Sequence, residues 1–540
     1  MIENGWKNIL RSEMKNSSDR KPKLSDVIWI KNNVGNVLNN TENLDLVEDL
    51  LNKTGPGFCL AKFSQVTIHL GTGQIHSCHH PKTHEVPLEE IVHNPSALFN
   101  TQHLKQARKE MLEGKRPSEC DYCWRVEDSN SPSDRFFKSI ESWALPEHDK
   151  ILEQGPDADY YPKYLEVDFS NVCNFNCIYC GPEYSSTWVD DLKRNGPVKV
   201  LDGTKYVQWI QGWQNLEDLN YKNREFNPYV DAFWKWFPKA YSHLKFYRIT
   251  GGEPLLSKET FKSIDWLINN PNPELDFSIN SNLGVPEKVW KEFLKKIKIL
   301  IDKNSVKKFT LFTSVDAWGE RAEYLRVGLN FETFKKRYEE LLQLGGVRAV
   351  IMCAFNILSI TSIKQLLEWQ SDLRSKYNVD KQLLYLENEF NFNLGSEYSH
   401  SCRTQLTKNH FSIVGIDIPY LRHPECLDAH FSDKNLIENY FVPAVNFAAK
   451  HTSNPIWGMH QGFEEYEVEK LKRILIGVMH YQYHQGNTKP VLEHRAKFYD
   501  FVNDIDRRHG KNFLKVFPEM TEFYNLCKDA NDQIRKEESP

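Results

Sequence analysis

Three cysteines stand within eight residues, Cys173-Asn174-Phe175-Asn176-Cys177-Ile178-Tyr179-Cys180, in a C-x3-C-x2-C run. Three thiolates in one short loop can grip three irons of a cubane cluster and leave the fourth iron without a protein ligand. An open coordination position separates a catalytic metal site from a structural one, so a small chelating ligand could take that corner. Zinc with a fourth ligand from elsewhere is the alternative use of closely spaced cysteines. A second set lies upstream: Cys59, Cys78, Cys120 and Cys123. Four cysteines close a coordination sphere, as in all-cysteine iron–sulfur or zinc sites, and their spacing does not choose the metal. His76, His79, His80 and His84 lie close by in the chain, and any of them could replace a cysteine. The remaining Cys353, Cys402, Cys426 and Cys527 are isolated and read as buried structural thiols.

A third feature is Ile249-Thr250-Gly251-Gly252-Glu253-Pro254. Paired glycines let backbone approach a ligand closely, and the adjacent carboxylate could take a charge-assisted bond from an ammonium. Standing alone, the same letters describe an ordinary turn.

These groups need a scaffold. From about 160 to 400 the pattern alternates strand, loop and helix. Expected strands are 164–169, 245–250, 275–280, 309–314, 347–352 and 382–386, with helices at 257–269, 286–300, 330–344 and 361–375. Such alternation argues for a parallel sheet with right-handed crossovers, and six units make an incomplete barrel. The cysteine run follows the first strand and Gly251-Gly252 follows the second. Both therefore fall at carboxyl ends of strands, where parallel α/β folds place their chemistry. An aromatic insertion near 195–225 (Trp209, Trp213, Tyr221) separates those two units.

Residues 1–54 read as a polar extension holding an amphipathic stretch at 44–51. Residues 55–150 read as a small α+β domain, entered through Thr54-Gly55-Pro56-Gly57. Its expected elements are a hairpin of 66–70 and 74–78 turning on Gly71-Thr72-Gly73, and a helix near 99–113. Residues 401–540 show helical patterns at 433–450, 463–484 and 490–508 and no clear β-alternation. The chain of 540 residues has a length suited to about three domains. It is 40% hydrophobic and 26% charged, with a net charge of -5, which argues against a general nucleic-acid or membrane-surface binder. The absence of an apolar signal core near Met1 sets the expectation of a cytoplasmic protein, where 11 cysteines serve as ligands or core rather than disulfides.

C-x3-C-x2-C after a strand, with Tyr179 before the last cysteine, resembles the signature of the radical S-adenosylmethionine (SAM) superfamily. Gly251-Gly252-Glu253-Pro254 matches that family's Gly-Gly-Glu-Pro motif letter for letter. The resemblance implies an incomplete (βα)6 barrel with a 4Fe-4S cluster on Cys173, Cys177 and Cys180, whose free iron chelates SAM. Reductive cleavage of SAM then gives a 5′-deoxyadenosyl radical that abstracts a substrate hydrogen. Asn280-Ser281-Asn282-Leu283 stands where the family often has Thr-Asn-Gly, so Ser281 and Asn282 would bond the ribose, with Leu283 in the glycine's place. Thr313-Ser314-Val315-Asp316-Ala317 resembles Ser-Val/Ile-Asp-Gly, and Ser314 would face the ribose. Arg326 resembles an arginine that holds the SAM carboxylate; a solvated helix-end arginine is the bland reading. Asn356 is a candidate for the adenine region or a cap.

The upstream cysteines resemble a twitch domain, a half-sized relative of the SPASM domain carrying one auxiliary 4Fe-4S cluster, here placed before the barrel. The resemblance covers about 55–400 and implies an electron donor such as flavodoxin or ferredoxin. It makes a peptide or protein the expected substrate. A small molecule such as a nucleotide or sugar is the rival within the enzyme class. A catalytically inactive, zinc-stabilised binding protein is the rival outside it.

Overall fold

The computed structural model describes residues 41–200, 226–377, 413–452, 462–485 and 488–537. The chain divides into two compact units, one of Met1–Glu166 with Asn227–Phe246, the other of Val167–Phe226 with Tyr247–Pro540.

In the smaller unit, β1 (Gln65–His69) and β2 (Gln74–His76) form the expected antiparallel hairpin with Thr67 opposite His76. A short β3 (His84–Glu85) pairs antiparallel with β2. The turn uses Gly73 at φ +70°, where a Cβ would sit 2.1 Å from the Tyr229 ring. Tyr229 belongs to the helix Pro228–Tyr241, so that helix packs on the turn only because the turn residue has no side chain. Asn227 caps the helix through Oδ1, which accepts from the Tyr229 and Val230 amides, while its Nδ2 donates to the Leu70 carbonyl at 2.8 Å. The amphipathic stretch at 44–51 forms the helix Thr41–Thr54, burying Val47, Leu50 and Leu51. The helix Gln102–Leu112 buries Leu104, Ala107 and Met111 at the expected spacing.

The larger unit takes in the end of β4 (Tyr164–Asp168) and holds β5 (Asn176–Cys177) and all but the first residue of β6 (Phe246–Thr250). It also holds β7 (Asn272–Ser281), β8 (Val306–Ser314), β9 (Arg326–Val327), β10 (Val347–Met352) and β11 (Ile413–Asp417). The main strands lie in the order β4-β6-β7-β8-β10-β11, and β7–β8, β8–β10 and β10–β11 are parallel. Inward residues alternate along each strand: Phe277 and Ile279, Phe309 and Leu311, Ala349 and Ile351, Val414 and Ile416 are all buried. Helices Lys258–Asn269, Glu287–Asp302, Phe331–Leu342 and Ile363–Tyr377 alternate with these strands as expected. The fold class is thus α/β, with a mostly parallel central sheet and a helical C-terminal region, an arrangement compatible with an incomplete barrel.

Two departures have physical causes. The strand expected at 382–386 and the insertion aromatics Trp209, Trp213 and Tyr221 lie outside the described residues. The strand that pairs with β10 is Ile413–Asp417, inside the stretch expected to be helical. β11 is only five residues long, and Gly415 at its centre interrupts the apolar pattern that would mark it. The helix expected over 433–450 is interrupted by a π-helical segment, Ile437–Phe441, just ahead of Pro443. Proline has no N–H to continue the i→i−4 ladder, and its ring crowds the carbonyl four residues back. Helices Glu465–Gln485 and Lys489–His509 follow, close to the expected ranges.

Candidate functional site

The C-x3-C-x2-C loop leaves the end of β4 and is pinned from several sides within the larger unit. Its middle forms β5, which pairs antiparallel with β9, setting Cys177 opposite Arg326. Trp188 donates its indole N–H to the Cys177 carbonyl at 2.8 Å, and the Cys173 amide donates to Ser186 Oγ at 3.2 Å. Cys180 closes the loop through its amide to the Cys177 carbonyl at 2.9 Å. Burial pushes the Cys177 thiol up to about 11 and the Cys180 thiol well above its ordinary range, and Cys173 rises as well. Each thiolate would feel its neighbours: Cys173 and Cys177 both oppose ionisation of Cys180, so the three stand within electrostatic reach. Thiols so buried give up their protons to a metal rather than to water.

The Gly251-Gly252 pair explains how this loop meets the end of β6. Gly251 lies at φ +117°, and a Cβ there would stand 2.2 Å from Asp168 Oδ1. At Gly252 it would stand 2.4 Å from the Val172 carbonyl oxygen. The Gly252 amide donates to the Ser170 carbonyl at 3.1 Å and the Glu253 amide to the Val172 carbonyl at 2.7 Å. The glycines therefore admit the cysteine loop itself.

Glu253 is almost fully buried, and both carboxylate oxygens are occupied. Oε1 accepts from the Leu255 amide at 3.0 Å and Ser281 Oγ at 2.9 Å, and Oε2 accepts from the Asn282 amide at 2.6 Å. The carboxylate thus staples the end of β6 to the end of β7. Burial outweighs these three donors and pushes its carboxyl up to about 7. Pro254 opens the 3-10 turn that follows. Asn282 in turn reaches the loop: its Nδ2 donates to Asn174 Oδ1 at 2.9 Å and lies 3.9 Å from Cys173 Sγ. The turn survives leucine in the glycine place because Leu283 itself takes φ +57°, with its side chain buried.

Arg326 is not solvated. Its Nε and Nη2 donate to the two oxygens of Asp316 at 2.8 and 3.0 Å, and Nη1 lies 3.6 Å from Cys177 Sγ. Tyr179 lies under the guanidinium and donates its hydroxyl to Asp316 Oδ2 at 2.6 Å. The Ala354 amide, past the end of β10, gives Asp316 Oδ1 another donor at 2.8 Å. Asp316 is the hub that sequence reasoning passed over, although it stands inside Ser314-Val315-Asp316-Ala317. The signal was a carboxylate two residues past the end of β8, with arginine ten residues on. Ser314 ends β8 opposite Met352, half-buried. Asn356 acts as a cap: its Oδ1 accepts from the Leu358 amide, completing a capping box with Ser359.

In the smaller unit, Cys59, Cys78, Cys120 and Cys123 all line one cavity, together with Lys62, His80, Asp134 and Arg135. Two buried arginines hold the chain on either side of Cys59. Arg135 Nη1 donates to the Phe58 carbonyl at 3.0 Å and Arg108 Nε to the Lys62 carbonyl at 3.1 Å. Gly57 makes the approach possible, since a Cβ there would overlap the Lys115 carbonyl at 1.8 Å. Burial raises Cys78 and Cys120 to about 12 and Cys123 to about 11, and the ammonium of Lys62 opposes that rise at Cys78 and Cys120. The neighbouring histidines are otherwise engaged: His76 with the Cys78 carbonyl and His69, His80 with Asp134 at 2.5 Å. Burial pulls His76 and His84 down to about 4, leaving both neutral at pH 7.

Among the described residues, neither cysteine set draws three sulfurs within 4.8 Å of one another. Both donor sets are all thiol, which iron–sulfur clusters and zinc alike accept. No family model, curated protein or solved structure matches the chain. No helix among the described residues is long and apolar enough to cross a membrane.

Proposed function

We propose that this chain is a radical SAM enzyme, with a SAM-binding 4Fe-4S cluster on Cys173, Cys177 and Cys180 and an auxiliary 4Fe-4S cluster on Cys59, Cys78, Cys120 and Cys123. The observation that carries this reading is the clamp on the three-cysteine loop. Gly251 and Gly252 admit it, and Asn282 reaches from β7 to Asn174 beside Cys173. Arg326 aims an N–H at Cys177 Sγ. A cluster so held would supply the electron that cleaves SAM to methionine and a 5′-deoxyadenosyl radical, which takes hydrogen from the substrate.

This chain's residues have separable tasks. Glu253 locks Ser281 and the Asn282 amide in place, so any ligand meeting the β7 end finds a rigid edge. Asp316 neutralises Arg326 and fixes its fork, leaving Nη1 to draw electron density from the Cys177 sulfur. Lys62 places a cation beside the four-cysteine cavity, where it offsets the charge of thiolate ligands. A peptide or protein is the substrate class favoured by analogy with twitch-bearing enzymes, and flavodoxin or ferredoxin is the matching donor.

The test is direct. Protein purified anaerobically is expected to be brown, to contain iron and sulfide, and to release 5′-deoxyadenosine from SAM on reduction. Cys173→Ala abolishes that release, whereas Cys120→Ala lowers iron and retains it. Colourless, zinc-loaded protein inert towards SAM sinks the proposal.

A further inference from the structure

Beyond the two cysteine sets, the smaller unit gathers a third group of ligand-type side chains. One ring nitrogen each of His84 and His103 and a carboxylate oxygen of Glu119 all lie within 4.8 Å of one another. They come from separate elements: β3, the first turn of the helix Gln102–Leu112, and the 3-10 turn Ser118–Cys120. The imidazole centroids are 4.1 Å apart at 33°, and His103 Nε2 is 2.6 Å from Glu119 Oε2. We propose that His84, His103 and Glu119 form a binding site for a divalent transition ion of the zinc class, made of other ligands than the four cysteines but joined to their cavity through Lys62.

Two imidazoles and one carboxylate are a donor set that zinc accepts, with its fourth position left open. The surroundings supply the outer support such a site needs. Thr101, fully buried, sets its Oγ1 3.3 Å from His84 Nε2 and steadies the ring. Lys62 pairs with Glu119 Oε1, which turns the other oxygen, Oε2, towards His103. A charged histidine–carboxylate pair explains His103 and Glu119 but not the second imidazole, which is held almost in contact with the first. A cation between the three groups accounts for all of them. The His103 side chain is 51% exposed, so solvent reaches the group, and an entering ion displaces the proton that His103 and Glu119 share.

The experiment uses Co2+ as the probe on the full chain carrying its native metal complement, so that the cysteines are already occupied. Wild-type protein is expected to take up one additional equivalent of Co2+, with ligand-field bands of nitrogen and oxygen donors and no sulfur-to-cobalt charge-transfer band. His103→Ala, at an exposed position that leaves the core intact, is expected to weaken this binding by a hundredfold or more. Glu119→Gln weakens it less and gives a second reading. Uptake by His103→Ala equal to wild type, no uptake by wild type, or a sulfur-to-cobalt band on the added equivalent would each overturn the site.

Discussion

Replacing Gly252 with alanine tests whether the glycine pair exists to admit the cysteine loop. Gly252 lies outside the left-handed region, so the substitution adds no backbone strain and its effect is steric alone. The new Cβ would stand 2.4 Å from the Val172 carbonyl oxygen and 2.7 Å from that of Asn171. Both are backbone atoms that cannot swing aside, so ordinary contact requires a shift of about 1 Å in the loop leading into Cys173. That shift weakens two backbone hydrogen bonds, from Gly252 to Ser170 and from Glu253 to Val172. At about 1 kcal/mol each, with about 1–3 kcal/mol for overpacking, the cost is about 3–5 kcal/mol. A domain of ordinary stability, about 5–15 kcal/mol, survives this, but the loop moves. Gly252→Ala is therefore expected to fold, to lose about half its cluster iron, and to release no 5′-deoxyadenosine, with the four-cysteine set still loaded. The assays are iron and sulfide per chain after anaerobic reconstitution, a urea midpoint, and 5′-deoxyadenosine by chromatography. Full iron content with wild-type SAM cleavage would refute the steric argument.

Glu253 predicts a pH dependence of stability. Its carboxyl ionises near 4.5 in the unfolded chain but at about 7 in the fold. Between those values the folded chain binds the extra proton, so stability falls as pH rises through that window and levels above it, by about 3 kcal/mol in all. Glu253→Gln should remove that slope in urea midpoints taken across the window; parallel profiles for the two proteins would count against it. Asp316→Asn leaves buried Arg326 without its anion, and a loss of about 3–5 kcal/mol is expected. An unchanged midpoint in urea would show that the pair is not the hub described.

The architecture was legible where local pattern and tertiary demand agree. Period-two apolar residues marked β6, β7, β8 and β10, and period 3.6 marked the helices between them, because each element buries one face against a single core. The cysteine runs stand out for a different reason: thiol ligands are written in residue types, so the proposed clusters rest on spacing alone. β11 was missed because it is only five residues long with Gly415 at its centre, too short to display a period. Leu283 looked like a broken turn, but φ is settled by the loop's ends, and a buried side chain can offset the roughly 1–2 kcal/mol that the left-handed region costs.

Spacing along the chain could state which residues carry sulfur and which strand ends they follow. It could not state who holds whom. Glu253 as a staple, Asp316 as the anion for Arg326, and His84 meeting His103 and Glu119 are all long-range or loop-mediated contacts with no period. A hydrogen bond or ion pair is a property of two positions in space, so only the folded chain, by bringing its strand ends and loops together, could decide those roles.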